Sequence, residues 1–110
     1  MDSILTSIKK LLGIAEEYAH FDADIIMHIN SALMTLSQIG IGPETGFTIN
    51  SDQQTWAEFL GEQTNVEAVK TFVYLKVKMV FDPPTSSFVM DAMNRQADEY
   101  LCRLNYQAES

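Results

Sequence analysis

Residues 66 to 94 read VEAVKTFVYLKVKMVFDPPTSSFVMDAMN, and the two prolines in this stretch decide the fold. Before them, apolar residues recur at helical spacing, which predicts a helix with a wide apolar stripe. Because proline donates no backbone hydrogen bond and restricts the residue before it, this helix must end near Phe81. Thr85 or Ser86 can cap a following helix that runs to about Tyr106. The apolar stripe before the prolines consists of Val66, Val69, Phe72, Val73, Val77 and Val80.

The prolines therefore predict a stiff corner between two helices. A corner that fixes the angle between two helices sets the shape of a molecule closely, and shape matters most to a protein that assembles with copies or partners. We expect the following residues to form this corner and to serve assembly: Phe81, Asp82, Pro83, Pro84 and Phe88.

Helical periodicity predicts three more helices before the corner. The first covers residues 2–12, the second is the longest of the first half, and the third is a short helix in TWAEFL, residues 55–60. Short polar residues usually precede a helix, and glycine often follows one. The first helix is expected to be capped by Asp2 or Ser3 and to end at Gly13, and the second to be capped by Asp22 or Asp24 and to end at Gly40. The short helix is expected to be capped by Ser51 or Asp52 and to end at Gly61. Thr64 or Asn65 is the expected cap of the helix before the prolines.

A loop near residues 40–54 separates the second helix from the short one and contains three glycines and a proline, which favour turns. Residues 47–49 in this loop are candidates for a brief extended piece. The sequence predicts an all-α fold, a small bundle of four main helices plus one short helix, in a single domain covering residues 1–110.

Several large apolar residues fall partly outside the predicted stripes, and two explanations stay open. They can fill the core, since methionine adapts to irregular gaps, or they can face another subunit. The candidates for subunit contacts are Leu75, Met79, Met90 and Met93, together with Trp56, which is otherwise expected to fold onto the core.

Composition excludes several classes of protein. Hydrophobic residues make up 46% of the 110 positions, which is typical of a globular chain and too high for a disordered one. No apolar run approaches the roughly 20 residues that cross a bilayer, and the N-terminus lacks the layout of a secretory signal. We therefore expect a protein that stays in the cytoplasm where it is made. The only cysteine, Cys102, excludes an intramolecular disulfide.

Charge is distributed unevenly along the chain, whose formal net charge is −8. No lysine or arginine occurs between Lys10 and Lys70, whereas nine carboxylates do. Because every phosphate contact needs a cation, direct nucleic-acid binding by this interval is disfavoured. A plain alternative is that an acidic surface only favours solubility. The nine acids are Glu16, Glu17, Asp22, Asp24, Glu44, Asp52, Glu58, Glu62 and Glu67.

No residue pattern points to catalysis, a cofactor or a metal. The glycine-containing segment 40–46 has neither the spacing nor the following lysine of a phosphate-binding loop. Asp24 and His28 stand four residues apart on a predicted helix, but a metal site would need further ligands. No serine or cysteine has an evident general base beside it. An enzyme is therefore not expected.

The segment EAVKTFVYLKVKMVFDPPTSSFVMDAMNRQADEYLCRLN, residues 67–105, closely resembles a known family. It is similar to the C-terminal half of the small head–tail connector proteins, the adaptors of tailed phages and of prophages of Gram-positive bacteria. Upstream, ILTSIKKLLGI (4–14), HINSALMTLSQIGIGP (28–43) and TWAEFL (55–60) follow in the order that this family shows. The resemblance thus covers nearly the whole chain.

This resemblance implies a structural virion protein that forms a homo-oligomeric ring on the portal, at the head–tail junction. The implied partners are other copies of the chain, the portal protein, and head-completion or tail proteins; packaged DNA would pass through the ring without sequence-specific binding. A ring of roughly a dozen copies requires a head-to-tail interface, because only such an interface closes into a high-order cycle. Glu44 and Asp52, on the long loop, are the candidate acids of the channel lining, where negative charge would repel DNA.

The same acidic interval supports a different class of function. A small acidic protein can mimic the charge of DNA and bind a nucleic-acid enzyme of the host. The two hypotheses differ in assembly: a connector forms a large ring, whereas a mimic stays monomeric or dimeric and binds a basic partner.

Overall fold

Five helices make up the architecture, and their order along the chain follows the prediction. The structure, a computed structural model, describes residues 3–61 and 65–109. Among these residues no strand is found, only an isolated antiparallel bridge between Ser3 and Thr55. The predicted all-α bundle is confirmed. The helices are α1 (Ile4–Leu12), α2 (Asp22–Gln38), α3 (Trp56–Leu60), α4 (Val66–Phe81) and α5 (Ser87–Glu109).

Three residues named above as a cap or an acid, Asp2, Glu62 and Thr64, lie outside the described residues. Of the helices that the described ranges contain, none combines the length and the apolar character that crossing a bilayer requires.

Helix α1 has the predicted cap at each end. The Oγ of Ser3 accepts a hydrogen bond from the backbone N–H of Thr6 at 3.2 Å. Gly13 follows the helix with a φ of 81°, a left-handed conformation that glycine adopts without steric cost. The buried face carries Ile4, Leu5 and Ile8, so α1 lies on the core as its periodicity predicts.

Helix α2 begins at Asp22, one of the two predicted residues, but neither aspartate caps it. Phe21 occupies the N-cap position and makes no side-chain hydrogen bond there. The helix ends at Gln38, and Gly40 then takes a φ of 95°. The apolar stripe of α2 consists of buried Ile25, Ile29, Ala32, Leu33 and Leu36 and partly buried Ile26 and Ile39.

Helix α3 is capped by Thr55, so the predicted caps Ser51 and Asp52 are wrong. The Oγ1 of Thr55 accepts from the backbone N–H of Glu58 at 3.1 Å, and the Glu58 carboxylate accepts from the N–H of Thr55 at 2.8 Å. This reciprocal capping box satisfies two N–H groups at once. Ser51 instead accepts from the N–H of Gln53 in the preceding turn. Ser51 is used in the turn that precedes the helix, so Thr55, the residue directly before Trp56, caps it.

Helix α4 is central, since it packs against α1, α2 and α5. Because three helices contact α4, more of its surface is buried than the single predicted stripe, and Leu75 and Met79 therefore lie in the core. Conversely, Val80 was expected in the stripe but is 61% exposed. The buried residues of α4 are Val69, Phe72, Val73, Leu75, Val77 and Met79.

Helix α5 packs along α4 and continues to Glu109, beyond the end expected near Tyr106. Ala97 and Leu104 are buried against the core. Met90, Met93, Tyr100 and Leu101 pack there while partly exposed. The opposite face of α5 points away from the bundle.

The long loop is tied to α2 rather than paired as a strand. Residues 47–49 are in no strand, but Ile49 is buried. The amide of Asn30 binds both backbone groups of Ile49: its Oδ1 accepts from the N–H at 2.8 Å, and its Nδ2 donates to the carbonyl at 3.0 Å. A single side chain of α2 thus replaces the strand partner that an extended residue would otherwise need.

Candidate functional site

The corner between α4 and α5 begins with Asp82, which ends α4. Its backbone N–H donates to the carbonyl of Lys78 at 3.0 Å, and its carboxylate accepts from the Lys78 ammonium at 2.7 Å. Pro83 and Pro84 follow and offer no N–H with which the helix could continue. The chain therefore turns here through a segment whose backbone has few accessible conformations.

After the prolines, Ser86 caps α5, which is one of the two predicted caps. Its carbonyl accepts from the N–H of Met90 at 3.0 Å, and its Oγ accepts from the N–H of Val89 at 3.4 Å. Phe88, two residues after Ser86, is 79% exposed, and Val80 and Val89 are exposed on the same corner. The corner thus presents an apolar surface that the chain itself does not cover.

An aromatic contact joins the corner to the connection between α1 and α2. The ring of Phe81, the last residue of α4, packs edge-on against Phe21 with centroids 5.4 Å apart. Phe21 also contacts His20 at 4.8 Å and Tyr18 at 5.9 Å in the connection between α1 and α2. Edge-to-face pairs are favourable ring arrangements, so this connection and the corner stabilise each other.

A buried lysine keeps the same connection in place. The side chain of Lys9 is 2% exposed. Its ammonium donates to the carbonyls of Glu16 at 2.9 Å and Tyr18 at 2.8 Å, and lies 2.8 Å from Oδ1 of Asp22. That oxygen is buried and receives no well-aligned hydrogen bond, so its attraction to Lys9 is one of charge. Sequence reasoning missed this role, although Lys9 lies four residues after Leu5, within the apolar face of α1.

The candidate subunit contacts separate into two groups. Trp56, Leu75 and Met79 are buried within the single chain. The indole N–H of Trp56 donates to the Oγ of Ser7 at 3.1 Å, which ties α3 to α1. Met90 and Met93 are only partly buried, on the inner side of α5. The exposed apolar surface therefore consists of other residues.

Part of that surface is a groove along the outer face of α2, which sequence reasoning also missed. Met27 and Met34, seven residues apart, are 57% and 60% exposed. Together with Ala23, Ile26 and Phe47 of the long loop they line an open groove of about 820 Å³. We call these five residues the α2 groove. The spacing of Met27 and Met34 on the face opposite the buried stripe was a usable signal in the sequence.

The candidate lining acids Glu44 and Asp52 are both exposed on the long loop, and Asp52 accepts from the side-chain amide of Gln53 at 3.0 Å. Asp24 is exposed and His28 partly so, and no hydrogen bond or ion pair joins them. Within the described ranges, no group of three or more histidine, cysteine, aspartate or glutamate side chains is placed to bind a metal ion.

Comparison with known protein families gives a match over nearly the whole chain. The sequence model of a family described as phage connector protein matches residues 4–110. A search of curated proteins and a search of solved structures each found no match. The family match begins at the first residue of α1 and includes all five helices, the corner and the α2 groove. The chain therefore belongs to the family of phage connector proteins.

Proposed function

We propose that this protein is a head–tail connector, or adaptor, that assembles into a homo-oligomeric ring on the portal. Packaged DNA passes through this ring between capsid and tail. The observation that carries the proposal is the match to the phage connector family over residues 4–110. The other partners are head-completion or tail proteins, and the place of action is the head–tail junction of the virion, after assembly in the host cytoplasm.

The α4–α5 corner supports this proposal. Closure of a ring requires that each copy presents its two contact surfaces at a constant angle. Asp82, Pro83 and Pro84 restrict the angle between α4 and α5, and Phe81 rests on Phe21 below them. Exposed Phe88 places an apolar side chain at this stiff point, where a neighbouring subunit can cover it.

The acidic interval supports the passage of DNA. Glu44 and Asp52 are exposed on the long loop, which Asn30 ties to α2 at Ile49. Repeated around a ring, such acids make a negative lining that repels phosphates and lets the duplex slide. We propose Glu44 and Asp52 as members of this lining.

Native mass spectrometry of the purified protein, alone and mixed with its portal, tests the proposal. We expect a single high-order oligomer, with roughly a dozen copies, visible as a ring by negative-stain imaging. A protein that stays monomeric or dimeric in both samples contradicts the proposal. If it also bound a basic nucleic-acid enzyme tightly, the charge-mimic hypothesis would replace it.

A further inference from the structure

The outer face of α5 carries a stripe of exposed residues. Starting from Phe88, its five residues follow one another after seven, four, four and three positions, and this spacing places them on one side of a helix. All are exposed, and Glu99 and Arg103 pair with each other. We call Phe88, Arg95, Glu99, Arg103 and Tyr106 the α5 stripe.

The α5 stripe and the α2 groove are separate surfaces on two different helices of one molecule. Helices α2 and α5 both pack on α4, and each turns its buried residues toward it. The α5 stripe and the α2 groove are thus outer faces of two helices that flank α4, in a molecule that measures 37 × 34 × 19 Å. If they bind each other, they do so between two copies and in a head-to-tail manner, which is the type of contact that can close a ring.

Charge indicates that the occupant of the groove is another copy. Asp24 lies on α2 beside the groove, is exposed, and has no ion pair with any described residue. No lysine or arginine follows Lys10 until Lys70, so the segment that forms the groove offers no cation. Arg95 in the α5 stripe is exposed and likewise has no ion pair among the described residues. The unpaired charges on the two surfaces are thus opposite in sign.

Spacing along the two helices fixes how the surfaces can meet. Phe88 lies seven residues before Arg95, and the groove extends from Asp24 toward Met34 in the opposite sense. Each residue of a helix advances about 1.5 Å, so both separations are on the order of 10 to 15 Å. When the helices run antiparallel, Arg95 faces Asp24 while Phe88 enters the groove near Met34.

We infer that the first part of the α5 stripe of one copy, from Phe88 to Arg95, packs antiparallel along the α2 groove of the next, with Phe88 in the groove near Met34 and Arg95 paired with Asp24. This inference rests on the proposed ring and names the surfaces that form it. Burying one aromatic side chain in an apolar groove removes about 150–250 Å² of its surface from water. The charged pair at the edge selects the partner face and the register.

Disulfide trapping tests the contact. In a Cys102→Ser background, which removes the exposed native thiol, Phe88→Cys and Met34→Cys are made separately and then mixed under oxidising conditions. We expect a cross-link between the two different chains, identified by mass spectrometry with one chain isotope-labelled, at several times the level in either variant alone. A preference for Phe88→Cys linked to itself would overturn the head-to-tail contact.

The same experiment separates this inference from the proposed function. Native mass spectrometry is run on each sample before oxidation. A high-order oligomer without the mixed cross-link overturns the inference and leaves the ring intact. The absence of any oligomer, both in the protein alone at concentrations up to the solubility limit and in its mixture with the portal, overturns both.

A charge exchange adds an independent readout that needs no cysteine. Asp24→Arg and Arg95→Asp should each weaken self-association about tenfold, because each change places like charges opposite one another. The double variant should recover most of that loss, since it restores the pair in reverse. Lys76→Asp, at an exposed lysine of α4, is the matched control and should leave association within about threefold of the parent. Additive losses in the double variant would contradict the pairing of Arg95 with Asp24.

Discussion

Lys9 illustrates how one residue can organise a segment that lacks helical structure of its own. Its ammonium binds two backbone carbonyls of the connection between α1 and α2, and the Asp22 carboxylate at the start of α2. These carbonyls belong to residues without helical partners, so the lysine satisfies groups that would otherwise depend on water. Through Phe21, this connection reaches Phe81 and the corner.

We predict that Lys9→Met lowers the free energy of unfolding by about 3 kcal/mol, because methionine fills the space but leaves the Asp22 charge without its cation. The adjacent Lys10→Met is the matched control: Lys10 is exposed, and its loss should cost less than about 0.5 kcal/mol. Urea denaturation followed by circular dichroism measures both. Equal losses in the two variants would mean that the buried contacts of Lys9 do not contribute to the free energy of unfolding.

Trp56 provides a second residue-scale prediction. It is buried, and its indole N–H donates to Ser7, so Trp56→Ala should cost about 3–5 kcal/mol through the cavity and the lost hydrogen bond. Phe88→Ala removes an exposed aromatic ring and should change monomer stability by less than about 0.5 kcal/mol. Thermal unfolding of both variants checks the contrast. A near-neutral Trp56→Ala would be incompatible with a core position.

At the scale of elements, the long loop depends on Asn30. Asn30→Ala leaves the buried backbone N–H and carbonyl of Ile49 without partners, which should cost about 2 kcal/mol. Faster hydrogen exchange at the Ile49 amide should accompany this loss, since the loop opens more often. Ser31→Ala, at the neighbouring exposed position, is the control and should leave that exchange rate unchanged. Unaltered exchange in Asn30→Ala would show that the loop is fixed by other contacts.

The corner is the element on which assembly should depend. Changing Pro83 and Pro84 together to alanine should leave the helical circular dichroism signal nearly intact, because neither residue lies within a helix. Ring formation should fall, since the angle between α4 and α5 is then less restricted. Pro43→Ala in the long loop is the control for loss of a proline elsewhere. Native mass spectrometry measures the oligomer, and normal assembly by the double variant would remove the argument for a stiff corner.

Local signals in the sequence predicted the elements well, while burial depended on which helices meet. Ser3, Gly13 and the prolines act on their immediate neighbours, so the ends of α1 and α4 followed from the sequence. Val80, Leu75 and Met79 could not be placed in this way, because α4 contacts three helices and periodicity assumes one buried face. Lys9 and Asn30 bind backbone groups far along the chain, and periodicity does not reveal such partners.

For the molecule as a whole, the uneven charge has two consequences in a ring. The acidic interval gives each copy a negative region that contains no lysine or arginine, while α5 contributes Arg95 and Arg103. Copies with a net charge of −8 repel one another in general, so association requires apolar contact and locally opposite charges. The proposed α5–α2 contact offers both; it includes Phe47 of the long loop, while Glu44 and Asp52 of the same loop lie outside the groove lining.

This arrangement predicts that reversing the lining charge makes the ring retain DNA. In a ring of roughly a dozen copies, Glu44→Lys with Asp52→Lys places about two dozen cations around the passage. Duplex DNA should then bind the ring at about 50 mM salt and dissociate by about 200 mM, because each phosphate contact displaces a counterion.

Glu16→Lys with Glu17→Lys makes the same charge change at two exposed residues between α1 and α2 and serves as the control. Binding is measured by gel shift on variants whose oligomers are intact by native mass spectrometry. Retention of DNA by the control but not by the loop variant would place the lining at the α1–α2 connection. Retention by neither would mean that DNA does not approach the acidic surface of the ring.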